Sequence, residues 1–513
     1  MDFLVPFDSY LKEYRYKYLA LFHALRSAIV AGNIPNGTKL PSSREMSGMY
    51  QLSRGSVNQV YDMLLAEGYV TAAVGRGTYV NYEAPDRLEH DIPVTEQIRL
   101  SDWGERISCE GAYRTDALLA HEATATSVIN LEMGQPVQEG FPVEAWCHAM
   151  YQEVRQLEAL RQDSEPIHPA GYEPLREAIA LHLRRMRGIQ ARGEQVFIFN
   201  GSMQAIALLM QLLVNPGDGV VVESPGYGGI QRAIEAAGGI LIANAVDEQG
   251  IIVREWTEKL LFVTPSRQFP TGAVLSLERR QQLLAWAARH KAIIIEDDYD
   301  SEIRYGGRPI EPLKTLDQED RVVYIGTFSK TMYNGLRIGY AVLPTSLIKP
   351  MERAKQLYEP SPTSVLEQRA LAAFIQNGHY ERHLRRLRRI YSKKYAYFYR
   401  MMQEHVGHLF NIISCDAGMH IYAIWNGDPE AYEAFRLSAA KEGVRWSDGR
   451  RFHLLSNAPA TACFGFAHLQ EEDLLRGVLR MKTAWEKTKY VREPGSIIKD
   501  QKLSQISRRE SDD

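Results

Sequence analysis

The chain has 513 residues, of which 45% are apolar and 24% charged, and a formal net charge of −3. Such a composition excludes a fibrous or wholly disordered chain, the length asks for about two to four domains, and the near-neutral balance means that any basic, nucleic-acid-binding part must be sought domain by domain. Cys109, Cys147, Cys415 and Cys463 lack the spacing of a zinc site or redox pair, and neither a leader nor a long apolar run is evident, so a cytoplasmic protein without metal or membrane partner is expected.

In chain order, Leu21, Leu25, Ala28 and Ile29 recur at helical spacing and predict a first helix ending at the turn Gly32 to Gly37. Ser42 with Glu45 three residues later is a capping box, which predicts a second helix carrying Met46 and Met49 inward. A third helix is expected from Ser53 to Glu67, burying Val57, Val60, Tyr61, Leu64 and Leu65 and leaving Arg54, Ser56, Asn58 and Gln59 outside. Gly68-Tyr69-Val70 and Gly77-Thr78-Tyr79-Val80 flank a Gly75-Arg76-Gly77 turn and read as a two-stranded wing. Through Val80, eight Lys/Arg stand against six Asp/Glu, so the module is only mildly basic.

This arrangement is a helix-turn-helix with a wing. Ser42, Ser43 and Arg44 at a helix start offer hydroxyls, amides and a cation to phosphates. Arg54 and Ser56 open the reading helix, where Arg can pair with guanine and Asn58 or Gln59 can reach other base edges. Arg76, next to Gly77 on the wing, can enter the minor groove. Taken singly, each is as well explained as a solvated polar residue on a small interaction module. As a set, Leu40 to Glu45, Ser53 to Val57, Glu67 to Val70 and Gly75 to Thr78 resemble the GntR-type winged helix in order and spacing. The DNA-binding domain is placed at residues 15–82 and a polar linker, with room for short helices, at 83–125.

From 126 to 486 helical stretches alternate with β-branched runs at Gln195 to Phe199, Gly219 to Glu223, Leu260 to Thr264, Ala292 to Glu296 and Arg321 to Ile325. That is an α/β pattern around a mainly parallel, buried sheet. The polar residues 487–513 are expected to form a disordered tail. The sharpest chemical signal is Gly326-Thr327-Phe328-Ser329-Lys330 after a strand, followed by Gly335-Leu336-Arg337-Ile338-Gly339. A lysine there can form a Schiff base with an aldehyde cofactor, and Thr327, Ser329 and Arg337 suit a phosphate. At Asn200-Gly201-Ser202-Met203 a strand turns through glycine into a helix whose first amides can cradle the same phosphate. Tyr227, in Ser224-Pro225-Gly226-Tyr227, can stack on a pyridine ring, and Asp297-Asp298-Tyr299-Asp300 at a strand end can hold a pyridine nitrogen protonated, with Tyr299 donating to a ring hydroxyl. Each segment alone also reads as a helix cap, a loop or a solvated acidic turn.

Together these segments resemble fold-type-I aminotransferases, and the whole order resembles the MocR/GabR family, with a GntR-type winged helix ahead of an aminotransferase-like domain. Phe141-Pro142, His168 to Tyr172, Thr264 to Gly272 and Leu366-Glu367-Gln368 add to the likeness. The resemblance implies a multidomain α/β fold that binds pyridoxal 5'-phosphate (PLP). In it Lys330 carries the cofactor, Asp297 pairs with the pyridinium, Tyr299 serves the ring hydroxyl, Tyr227 stacks, and Ser202, Thr327 and Arg337 with the amides around Gly201 and Met203 hold the phosphate. It further implies a homodimeric regulator that binds a double-stranded operator, senses PLP or a small amine or amino acid, and controls metabolic genes. Two positions depart from the aminotransferase pattern: Phe269 stands where an Asn precedes Pro-Thr-Gly, and Cys463 where an Arg grips the substrate carboxylate. The second favours a regulator over a working transaminase, which is the alternative reading; a non-catalytic scaffold is a third. The basic run at Arg385, Arg386, Arg388, Arg389, Lys393 and Lys394 reads first as a solvated helix face and second as a further DNA-facing surface.

Overall fold

The structure, a computed structural model, describes residues 5–73, 76–83, 98–108, 128–137, 139–156, 168–307, 310–456 and 458–492. It divides into two compact units, Met1–Arg99 and Leu100–Asp513. No helix among the described residues is long and apolar enough to cross a membrane.

The first unit runs α1 (Phe7–Glu13), α2 (Lys17–Val30), α3 (Ser43–Tyr50), α4 (Arg54–Ala66), β1 (Val70–Ala73) and β2 (Gly77–Val80). Its core is the apolar stripe of α2, with Leu21, Leu25, Ala28 and Ile29 buried against Met46, Val57, Val60 and Leu64. Two residues expected inside are outside: Leu65 is 44% exposed and Met49 46% exposed. Leu65 is turned about 100° round the helix from Leu64, which takes the inward position, and Met49 lines the cleft between α3 and the wing. Upstream of residue 15, α1 docks through Phe7, whose ring meets Tyr50 edge-on at 5.1 Å. The wing is thicker than a hairpin, because Leu40 N–H donates to Thr78 O and Val80 N–H to Thr38 O, both at 2.9 Å. Gly75 of the expected turn lies outside the described residues.

The second unit opens with α5 (Asp102–Ser108), β3 (Ile129–Leu131), α6 (Val143–Arg155), α7 (Glu173–Arg187), β4 (Val196–Phe199), α8 (Ser202–Leu213), β5 (Gly219–Ser224), α9 (Gly228–Ala237), β6 (Ile240–Asp247), β7 (Gly250–Ile251) and β8 (Leu260–Val263). It continues with α10 (Leu277–His290), β9 (Ile293–Asp298), β10 (Val322–Thr327), β11 (Gly339–Val342), α11 (Ile348–Tyr358), α12 (Val365–Gln376) and α13 (His379–Val406). A final set comprises β12 (Phe410–Ile413), β13 (His420–Trp425), α14 (Pro429–Lys441), β14 (Val444–Asp448), β15 (Thr461–Gly465) and α15 (Glu471–Arg492).

An eight-stranded sheet has the order β4-β11-β10-β9-β8-β5-β6-β7. The pairs from β10 through β9, β8 and β5 to β6 are parallel, and β11 is antiparallel to both its neighbours. Val196 and Ile198 of β4 enter one apolar cluster while Phe197 and Phe199 enter another, so both faces are covered and the strand reads as an unbroken apolar run. A five-stranded sheet, β12-β13-β15-β14-β3, carries a separate core. The expected strands appear within two residues of their sequence bounds.

The linker gains detail and one boundary is corrected. Within the expected linker, α5 is held to the second unit by Arg106 Nε donating to Ala236 O at 3.2 Å; residues 84–97 and 109–127 lie outside the described set. At the other end α15 runs six residues past 486, because Met481, Ala484 and Thr488 continue its buried stripe and Lys487 pairs with Glu442 at 2.6 Å. The rest of the expected tail, 493–513, lies outside the described residues.

Candidate functional site

Three strands of the large sheet direct their carboxyl ends, with the turn leaving β4, toward one crevice, the place where open α/β sheets hold ligands. β4 leads through Asn200 and Gly201 into α8, β5 leads to Tyr227, β9 ends in Asp297-Asp298, and β10 ends in Thr327 just before Lys330. Alternation along β9 assigns its acids to opposite faces. Asp298 is tied into the protein by Arg187 Nη2 and Tyr324 Oη, both at 2.6 Å. Asp297 is 5% exposed and its Oδ1 has no partner. Burial, then Asp298, Asp300 and Glu223, push its carboxyl up to about 8, against the pull of Lys330. Lys330 Nζ donates to Gly134 O at 2.8 Å, and burial lowers its ammonium below the ordinary value.

Opposite lies a cradle. Gly201 caps α8 at φ 90°, and a Cβ there would stand 2.5 Å from a guanidinium nitrogen of Arg337. Arg337 is itself left-handed at φ 51° and donates to Asn200 O at 3.4 Å. Gly339 brings β11 against the start of α8, where a Cβ would lie 2.6 Å from Ser202 N. Thr327 Oγ1 accepts from Ser329 N–H at 3.2 Å, and Ser329 Oγ is buried without a partner. Met203 follows Ser202 in the first turn of α8, its sulfur next to Gly229 beside the Tyr227 ring. Tyr227 meets Phe269 edge-on at 5.6 Å, and Phe269 meets Tyr299 edge-on at 5.7 Å. Tyr227, Asp297, Tyr299, Lys330, Arg337 and the turn at Gly201 are therefore near neighbours of one another.

These residues fit PLP in chemistry: an unpartnered buried carboxylate oxygen for a ring nitrogen, an amine for an aldehyde, and amides, hydroxyls and a guanidinium for a phosphate. Sequence reasoning missed three members. Arg267, quoted only within a motif, is 4% exposed and bonded to Tyr299, Asp300 and His420. Gly134 acts through its carbonyl, which no residue type announces. Glu223, receiving Thr264 N–H at 3.2 Å and Thr264 O–H at 2.5 Å, is pushed up to about 7 by burial. Cys463, on β15, is fully buried with Tyr422 and Phe452, and burial raises its thiol far above the ordinary value. The place expected of a carboxylate-gripping Arg thus holds a buried neutral thiol beside aromatic rings, with Arg451, Asp448 and Arg267 close enough to act on it.

On the first unit a cleft of ≈ 1300 Å³ is lined by Ser42, Ser43, Asn58, Arg76, Gly77 and also Lys39, which sequence reasoning passed over. A Cβ on Gly77, at φ 112°, would lie 2.7 Å from Lys39 Cε. Ser42 is engaged in the capping box, accepting from Glu45 N–H at 3.3 Å while Glu45 Oε2 receives Ser42 N–H at 2.7 Å. Arg44 and Arg54 are exposed at the starts of α3 and α4, Asn58 is exposed, and Ser56 is half-buried with its N–H on Ser53 Oγ at 3.1 Å. Of the basic run on α13, Arg385, Arg386, Arg389 and Lys393 are exposed. Lys394, buried, donates to Ala467 O at 3.0 Å, and Arg388 Nε to Glu302 O at 2.9 Å, so those two are internal ties.

Comparison with known proteins agrees with both halves. The family model for bacterial regulatory proteins of the gntR family matches residues 17–80, and that for aminotransferase class I and II matches residues 126–480. The chain is 34% identical over 473 residues to the probable rhizopine catabolism regulatory protein MocR of Rhizobium meliloti, covering 91% of this chain and 93% of the relative. It is 30% identical over 463 residues to the pyridoxine biosynthesis transcriptional regulator PdxR of Corynebacterium glutamicum, covering 90% and 93%. Among solved structures, the multiple substrate aminotransferase of Thermococcus profundus superposes with a TM-score of 0.66 at 27% identity, over 74% of this chain and 96% of that one. The second unit thus has the fold-type-I aminotransferase fold, whose class I and II family depends on PLP. The chain belongs to the MocR-type family of transcriptional regulators, in which a GntR-type DNA-binding domain is fused to an aminotransferase-like domain.

Proposed function

We propose that this regulator binds PLP at Lys330 and that cofactor loading, or a small amine reacting at the loaded site, sets how a homodimer in the cytoplasm engages its operator. The observation that carries the reading is Asp297, a buried carboxylate with an oxygen that nothing in the protein satisfies. Leaving such a group unpaired costs about 1–3 kcal/mol or more, and a protonated ring nitrogen would relieve it. When bound, PLP supplies an electrophilic aldehyde and an electron-withdrawing ring. The chain does the rest. Lys330, desolvated, presents an amine that loses its proton more readily than a surface lysine. Tyr227 would cover one face of the ring, Tyr299 its hydroxyl, and Ser202, Thr327, Arg337 and the amides from Gly201 to Met203 the phosphate. On the first unit, Ser42, Ser43, Arg44, Arg54, Ser56, Asn58, Arg76 and Gly77 would face DNA.

A second reading, a working aminotransferase with an accessory DNA-binding domain, is supported by the retention of Lys330 with Asp297. Cys463 itself supports the regulator, since a neutral buried thiol cannot clamp a carboxylate by paired hydrogen bonds. One relative is named for pyridoxine biosynthesis and another for rhizopine catabolism, which agrees with metabolic target genes.

The test is the absorbance spectrum of the purified full chain titrated with PLP. A visible band that saturates in the wild type and is absent in Lys330→Ala is expected; the same spectrum as free PLP in both proteins would end the reading.

A further inference from the structure

Arg267 has been given no role toward the cofactor so far, yet it is bonded to a residue that has one. It is buried, and its Nη1 donates to Tyr299 Oη at 2.9 Å and to Asp300 Oδ2 at 3.0 Å, while Nη2 donates to His420 O at 3.2 Å. Room for the guanidinium is made by Gly418, where a Cβ would stand 2.5 Å from Arg267 Cζ. Asp300 neutralises the cation, so the group acts here through direction more than through net charge.

A phenol has one hydrogen. With a guanidinium N–H donating to the Tyr299 oxygen, that hydrogen points away from Arg267 and is left for a different acceptor. The ring beside Tyr299 is Phe269, edge-on at 5.7 Å, which has no donor of its own. We propose that Arg267 is a positioning residue: it fixes the Tyr299 hydroxyl as a donor to the ring hydroxyl of bound PLP, a duty Phe269 cannot share.

This inference rests on the cofactor reading above. Burial foremost raises the Tyr299 phenol well above its ordinary value, with Arg267 pulling the other way, so it remains a neutral donor throughout the working range. The titratable and charged groups facing this pair are Asp297, Asp300, Cys415 and Tyr305, with Lys330 nearby and His420 held neutral by burial and by Arg267 itself. A donor to the ring oxygen stabilises its negative charge most once the nitrogen joining cofactor and Lys330 has lost its proton. Weakening that donor therefore raises the pH midpoint of the visible band.

The experiment is a spectrophotometric pH titration of the PLP-loaded full chain. Tyr299→Phe, which removes only the hydroxyl, is expected to raise the midpoint by about one pH unit, the size of one hydrogen bond to a charged group. Arg267→Lys and Arg267→Gln, checked for folding by circular dichroism, are expected to raise it by a similar amount in the wild type and by nothing further in the Tyr299→Phe background, as coupled residues do. An unmoved midpoint in Tyr299→Phe overturns the proposal by itself, whether or not the Arg267 variants fold. An equal shift from Arg267 variants in both backgrounds also overturns it, because Arg267 would then act on the cofactor independently of the Tyr299 hydroxyl. Absence of any visible band in the wild type would instead be a failure of the cofactor reading.

Discussion

Gly201 and Arg337 define each other's space. The glycine stands at φ 90° with the guanidinium over its open side, and Arg337 holds a left-handed backbone that costs an L-residue about 1–2 kcal/mol. Strain of this kind persists where the surroundings over-determine it, most often at ligand sites. Gly201→Ala is expected to weaken PLP binding about 10- to 100-fold, since a Cβ displaces Arg337 and strains the turn by roughly 1–3 kcal/mol; a fluorescence titration measures it, and wild-type affinity in the variant would remove the cradle from the account. At this scale the sequence was legible where a residue type announces its chemistry. Lys330, Tyr227 and Arg337 carry their own labels. The acids in Asp297-Asp298-Tyr299-Asp300 did not separate by type, because only the β-pleat and the partners show that Asp298 is tied to Arg187 and Asp300 to Arg267 through one oxygen, while Asp297 has no such cation. A carbonyl such as that of Gly134 leaves no trace in a sequence.

Elements are tied together behind the crevice by His182 of α7. Its Nε2 lies 2.8 Å from Glu302, in the turn that follows Asp300, and its Nδ1 lies 3.8 Å from Glu381 in the first turn of α13. Burial opposes its charge, but the two carboxylates outweigh it and push the imidazole up to about 9. Because the folded value exceeds the unfolded one near 6.5, the stabilisation is fully present below about pH 6.5 and is lost as pH rises through about 9. Glu302 is lowered and stays ionised across that window. Urea unfolding between pH 6 and 9.5 should show a decline of at most about 3 kcal/mol that His182→Gln flattens; an unchanged slope in the variant would mean that the triad is not coupled to folding. Elements with strong helical periodicity or a β-branched run, such as α2, α4 and the strands β4, β5, β8, β9 and β10, were legible in advance. Missed were α1, in which Phe7 alone is buried, and the last turns of α15, whose buried stripe is masked by a lysine- and glutamate-rich composition.

For the whole molecule, two units of unlike chemistry share one chain: a mildly basic winged helix, and an aminotransferase fold in which a buried cysteine stands at the expected substrate-gripping position. Regulation requires that a ligand of the second unit interact differently with two states of the protein that differ in DNA engagement, for otherwise binding shifts nothing. The measurement that tests this most directly is binding-site selection from a random DNA duplex pool by the full-length protein, with and without PLP, in the wild type and in Lys330→Ala. Enrichment of a sequence with two half-sites, at an affinity that PLP changes in the wild type and leaves unchanged in the variant, is the predicted result. Enrichment indifferent to PLP in both proteins would contradict the link between cofactor site and DNA, and no enrichment in any condition would contradict specific operator recognition itself.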